Sequence, residues 1–80
     1  MAMTPEQCRA ARALKDWTQS DLAKASGVSD LTIRNFERSK TTLQPATLQV
    51  LRTALEAAGV LFIDSNGNGP GVRLRDRLKQ

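Results

Sequence analysis

Histidine and tyrosine are absent from this 80-residue chain, cysteine occurs once, and the aromatic side chains stop at Trp17, Phe36 and Phe62. Each scarcity closes a class of function. Without histidine the commonest metal ligand and general base are missing, and a lone Cys8 can form no internal disulfide. Its small apolar character fits a buried position better than a reactive thiol. The chain carries no nucleophile–base pair, metal-ligand cluster or phosphate-cradling loop, so the expectation is a protein that is not an enzyme, with no catalytic residues, no metal and no cofactor. Three rings are too few for a platform that stacks single-stranded bases. No apolar run approaches the roughly 18 residues that span a bilayer, and Met1-Ala2-Met3-Thr4 lacks a basic region leading into an apolar one. A cytoplasmic chain with no membrane partner is expected. What charge there is leans one way: 12 Lys+Arg against 8 Asp+Glu leave a formal net charge of +4, which favours a polyanionic partner without identifying it.

Within those bounds the chain reads as one small domain, residues 1–80, mainly α, with a four- to five-helix bundle over 4–58 and a C-terminal β-hairpin over 60–75. Thr4-Pro5-Glu6-Gln7 is a helix start, with Thr4 as cap, Pro5 at the first position and Gln7 able to close a capping box. That helix is expected to reach about Lys15, with Cys8, Ala11 and Leu14 as its inner stripe. Asp16-Trp17-Thr18 breaks the pattern, and Thr18 with Asp21 begins a second helix that ends at Gly27. Ser29 caps a third, with Asp30 in its first turn where the helix dipole favours a negative charge. After a polar connection over 39–44, Pro45 opens a fourth helix whose Leu48, Leu51, Leu55 and Ala58 recur at helical spacing, widened by Val50 and Ala54. Beyond Gly59 the period changes to that of strands. Val60-Leu61-Phe62-Ile63 and Gly71-Val72-Arg73-Leu74-Arg75 flank a dense turn signal, and residues 76–80 are a charged tail expected to fray.

The organising stretch is 19–38, two short helices joined at Gly27, with Leu22, Ala23, Val28, Ile33 and Phe36 on their inward faces. A helix that enters the major groove of DNA needs polar side chains on one side and apolar anchors on the other, and the segment 29–38 supplies both. Arg34 can bond guanine O6 and N7, Asn35 can bond adenine N6 and N7, and Thr32 can meet a thymine methyl or a phosphate. Asp30 can accept from cytosine N4 or serve mainly as a helix-start residue, and Leu31 is open between a thymine methyl and solvent. These five are the candidate base-contacting residues.

In this layout the chain resembles the phage repressor and Cro family of helix-turn-helix DNA-binding proteins, also called the xenobiotic-response-element family, over roughly residues 4–58. Two departures are Asp16, where the family usually carries glycine, and Ser26, where a larger apolar residue is common. The resemblance implies double-stranded DNA as partner, a nucleoid-associated location, and transcription regulation in a bacterium or phage. It also implies phosphate contacts from Gln19, Ser29, Arg38, Lys40, Thr41 and Thr42, and a structural pair between Arg12 and Glu37. Small bacterial members of the family look similar in the Gly-Val-x-Phe-Ile strand as well.

A two-stranded hairpin is marginal in water unless it packs on helices or pairs with another chain. Because Val60 and Phe62 share one face and Leu61 and Ile63 the other, a homodimer interface of Leu61, Phe62, Ile63, Val72 and Leu74 is expected. The leading expectation is a dimeric repressor that reads a palindromic operator. The competing one is a protein-binding module, an antitoxin or a coactivator-like bridge, that uses the same fold to hold a protein partner.

Overall fold

The computed structural model describes residues 3–65 and 67–75; the expected frayed tail, with Arg77, Leu78 and Lys79, lies outside the described residues. Four helices precede two strands: α1 (Pro5–Leu14), α2 (Gln19–Ser26), α3 (Asp30–Glu37), α4 (Pro45–Ala57), β1 (Val60–Ile63) and β2 (Gly71–Leu74). Side chains fix three of the helix starts. Thr4 Oγ1 accepts from the Gln7 amide at 3.0 Å while Gln7 Oε1 accepts from the Thr4 amide at 3.0 Å. Thr18 and Asp21 repeat that box at 3.0 and 2.9 Å, and Ser29 Oγ accepts from the Thr32 amide at 3.2 Å. α4 has no side-chain cap and relies on Pro45 at its first turn.

The helix ends are as closely defined as the starts. At the end of α1, Trp17 N–H donates to Arg12 C=O (2.8 Å) and Asp16 N–H to Ala13 C=O (3.1 Å), with Asp16 at φ 56°. After α3 the same pair of bonds runs from Lys40 to Asn35 (2.8 Å) and from Ser39 to Phe36 (2.9 Å), with Ser39 at φ 60°. Both are Schellman closures in which a non-glycine residue occupies the left-handed position. α2 instead closes on Gly27, at φ 80°.

The four helices and β1 build one core: Cys8 and Ala11 from α1, Leu22 from α2, Ile33 and Phe36 from α3, Leu51 and Leu55 from α4, Val60 and Phe62 from β1, and Met3 ahead of α1, with Val72 of β2 packed against it. Each large member stabilises the fold by about 1.5–3 kcal/mol. Two residues expected inside, Leu14 and Val50, lie outside. Leu14 is 40% exposed, and Trp17, returned by the Asp16 reversal, packs against the core beyond the end of α1. Val50 is 45% exposed because it faces only the small Ala25 and Ser26 across a shallow groove.

The strands pair antiparallel, Val60 with Leu74, Leu61 with Arg73, Phe62 with Val72 and Ile63 with Gly71. Pleating turns Val60 and Phe62 to the helices and leaves Leu61 and Ile63 on the outer face, 36% and 37% exposed. This corrects the expected dimer set. Phe62 is buried, Val72 packs against the same core, and the half-buried Leu74 stands opposite Val60, so only Leu61 and Ile63 of the five remain on the outer face. The Arg52 guanidinium stacks 4.9 Å from the Phe62 ring centroid and bonds Glu56 at 3.0 Å, sealing that side. Arg75 reaches back to the Glu56 carbonyl at 3.1 Å.

Gln7 fastens the hairpin to α1. Its buried amide donates to the carbonyls of Ile63 (3.3 Å) and Gly71 (3.0 Å) while its oxygen completes the Thr4 box. Replacing Gln7 with alanine leaves buried polar groups without partners, and a loss of about 1–3 kcal/mol in urea unfolding is the expected outcome.

Candidate nucleic-acid interface

The geometry of the candidate interface is built on Glu37, the last residue of α3, whose side chain is 2% exposed. Its carboxylate accepts from Arg12 Nε (2.8 Å) and Arg12 Nη2 (2.6 Å), from Gln19 Nε2 (3.1 Å) and from the Cys8 thiol (3.0 Å). Arg9 donates to the Glu37 backbone carbonyl, and Arg12 Nη1 donates to the Trp17 carbonyl at 2.9 Å. One carboxylate thus ties α1, the start of α2 and the end of α3 together. Burial by itself would raise the Glu37 carboxyl, but hydrogen bonds from Arg12, Cys8 and Gln19 and the Arg12 charge outweigh it and hold the group below the ordinary carboxylate range. The bond to Glu37 raises Arg12 further, and burial, then the Glu37 bond, pushes the Cys8 thiol well up. Cys8 therefore stays a protonated donor.

The structure brings Arg12 and Glu37 together as a bidentate pair, and it adds Gln19 to them. One amide hydrogen of Gln19 is committed to Glu37, which fixes the half-buried side chain at the first position of α2 and leaves a second hydrogen for another acceptor. Opposite this anchor, α3 presents a polar surface. Arg34 and Asp30 are exposed, Thr32 and Asn35 half-buried at the flanks, and Leu31 is 56% exposed with no apolar cover. Ser29 Oγ donates to Thr32 Oγ1 at 2.8 Å, so the two hydroxyls are linked at the helix start. Arg38, Lys40, Thr41 and Thr42 are all exposed, on a loop whose departure from α3 is set by the Schellman closure at Ser39. Asp30 is more constrained than its sequence position suggests, because Ser20 Oγ donates to Asp30 Oδ2 at 2.8 Å across the turn.

Sequence reasoning missed Ser20, Arg9, the Gln19–Glu37 bond and the Cys8–Glu37 bond. The last two had a visible signal, since Glu37 falls on the buried side of α3 and a buried carboxylate requires several donors. The others depend on the crossing of α1 and α2 over α3. Among the described residues no group of three or more His, Cys, Asp or Glu side chains gathers where it could hold a metal ion, and no helix is long and apolar enough to cross a membrane.

Residues 9–57 match a family model described as helix-turn-helix. Among curated proteins nothing matches the chain. The matched span ends before β1, although Val60 and Phe62 complete the core on which α1 and α4 rest.

Because Glu37 titrates below its unfolded value, its stabilisation is complete above the ordinary glutamate range. It is lost as the pH falls from that range through the lowered native value. Urea unfolding between pH 6 and pH 2 is expected to show this acid loss, and Glu37→Gln to flatten it. At neutral pH the same variant should unfold about 3 kcal/mol more easily, since Arg12 is left without its charge partner in a largely buried site.

Proposed function

The chain belongs to the helix-turn-helix family of Cro/C1 type, a family of DNA-binding transcription regulators and not of enzymes, and on that premise we propose that it is a dimeric repressor reading a palindromic operator through the major groove. The observation that carries the reading is the division of α3 into a buried edge locked by Glu37 and an outer edge of unshielded polar groups. Arg34 and Asn35, with Thr32, read base edges, Arg34 on guanine and Asn35 on adenine; Asp30 and Leu31 complete the base-facing set. Gln19, Ser29, Arg38, Lys40, Thr41 and Thr42 follow phosphates, which orients the domain and makes binding salt-dependent without carrying sequence information. The Gln19 amide, held by Glu37, is a preorganised donor for this purpose.

Dimerisation through the outer hairpin face is supported by what the helices leave uncovered. Leu61 and Ile63 are the apolar pair on that face, and a twofold pairing there would bring two copies of α3 to successive major grooves about 34 Å apart. The whole span 1–80 acts as a single unit in this reading, with the hairpin serving both the core and the pairing.

Selection of genomic fragments at about 150 mM salt is expected to enrich one palindromic sequence, whereas a protein-bridging module would enrich none. Arg34→Ala and Asn35→Ala should each relax the preference at particular positions by about 1–3 kcal/mol, while Gln19→Ala should weaken all sites evenly. Identical behaviour of the three variants would refute the assignment of base readers. For the dimer, light scattering of Leu61→Asp should report a monomer; an unchanged dimer would move the interface away from the hairpin.

A further inference from the structure

We infer that Ser20 and Asp30 form one acceptor unit that selects cytosine at a single operator position, Asp30 touching the base and Ser20 positioning the carboxylate. The inference rests on the major-groove reading above and goes beyond it by adding a residue of α2 to the specificity set and by deciding for Asp30 between the cytosine contact and the helix-start role. Asp30 occupies the first position of α3 and its side chain is exposed; Ser20 Oγ donates to its Oδ2 at 2.8 Å. No Lys or Arg among the described residues forms an ion pair with Asp30. The carboxylate is thus oriented but not neutralised, and Oδ1 has no intramolecular partner among the bonds of the described residues.

A negative charge at this place is costly on DNA unless it meets a donor. Repulsion from the flanking phosphates weakens every complex alike, so Asp30 contributes to affinity only where the groove offers an amino group. Two bases offer one, cytosine through N4 and adenine through N6. Adenine also carries the N7 acceptor beside N6, which faces a carboxylate unfavourably, whereas the cytosine edge presents N4 without an acceptor of its own. Ser20 reinforces the choice. Its hydroxyl hydrogen is spent on Asp30, so the oxygen it turns outward can only accept, and the pair offers no donor to guanine O6, guanine N7 or thymine O4. The Ser20 bond also removes rotamer freedom from an exposed side chain before the DNA arrives, which sharpens discrimination at that base without adding a contact of its own.

The test is a binding panel in which every base pair of the selected operator is varied at about 150 mM salt, with wild type, Ser20→Ala and Asp30→Ala compared. Wild type is expected to prefer cytosine at one position of each half-site by about 10-fold or more, and Asp30→Ala to lose that preference while binding the non-cognate variants more tightly. Ser20→Ala should reduce the preference at that same position by about 3-fold or more, with unchanged preferences elsewhere, an unchanged salt slope and an unchanged thermal midpoint. N4-methylcytosine at the position should weaken wild type and leave Asp30→Ala indifferent. A Ser20→Ala profile identical to wild type overturns the positioning role and reduces the bond to a structural link between α2 and α3. A wild-type consensus that lacks cytosine at a position sensitive to Asp30→Ala overturns the assignment of the base, while the Arg34 and Asn35 readings stand. Absence of any wild-type consensus overturns the major-groove reading itself, and this inference with it.

Discussion

A buried carboxylate needs donors, and the Glu37 carboxylate finds them in the two helices that cross α3. Its exposure of 2% makes an unpartnered charge costly, so Arg12, Gln19 and Cys8 together stabilise the docking of α3. The docking angle of the outward-facing helix is therefore set by electrostatics at one end and by Ile33 and Phe36 along its length. Apolar packing alone tolerates small slides and rotations; a bidentate guanidinium–carboxylate pair at 2.6 and 2.8 Å does not. The rigid seating of the polar α3 surface comes from this combination.

Around the hub, chain direction is controlled by helix ends more than by helix interiors. Capping boxes at Thr4 and Thr18 and the serine cap at Ser29 start the helices, and left-handed residues at 16, 27 and 39 end them. Two of those three ends use Asp and Ser where glycine would be unstrained. The closure at Ser39 also aims the loop with Lys40, Thr41 and Thr42, so the strained residue sits between the polar helix face and the exposed hydroxyls that follow it. The hairpin then completes the base of the molecule, with Gln7 bridging its two strands to α1 and Arg52 covering Phe62.

Much of this is legible in the residues themselves. Thr4-Pro5-Glu6-Gln7, Thr18 with Asp21, Gly27 and Pro45 each carry a local reason to start or stop a helix, and local reasons survive folding. The change of period after Gly59 announced strands for the same cause. What could not be read depends on which surfaces meet. Leu14 and Val50 obey the helical period yet lie outside, because the period says which residues share a face and not how far the neighbouring element extends. The hairpin faces were separated correctly by alternation, but deciding which face the helices cover required knowing where α1 and α4 pass, and Phe62 and Val72 went inward. In the candidate site, the pairing of Arg12 with Glu37 was suggested by resemblance alone, while the Ser20–Asp30 bond joins two exposed residues that no periodicity links.

The hub has a consequence for how such a protein can change over generations. Gln19 shares its carboxylate partner with Arg12 and Cys8, so a substitution at Gln19 also disturbs the buried charge and lowers the population of folded chains. Arg34, Leu31 and Arg38 carry no such duty, because their side chains are exposed on the outer edge of the helix and at its end. Substitution is thus channelled to a few outward positions, and a lineage can exchange those side chains while its architecture stays still.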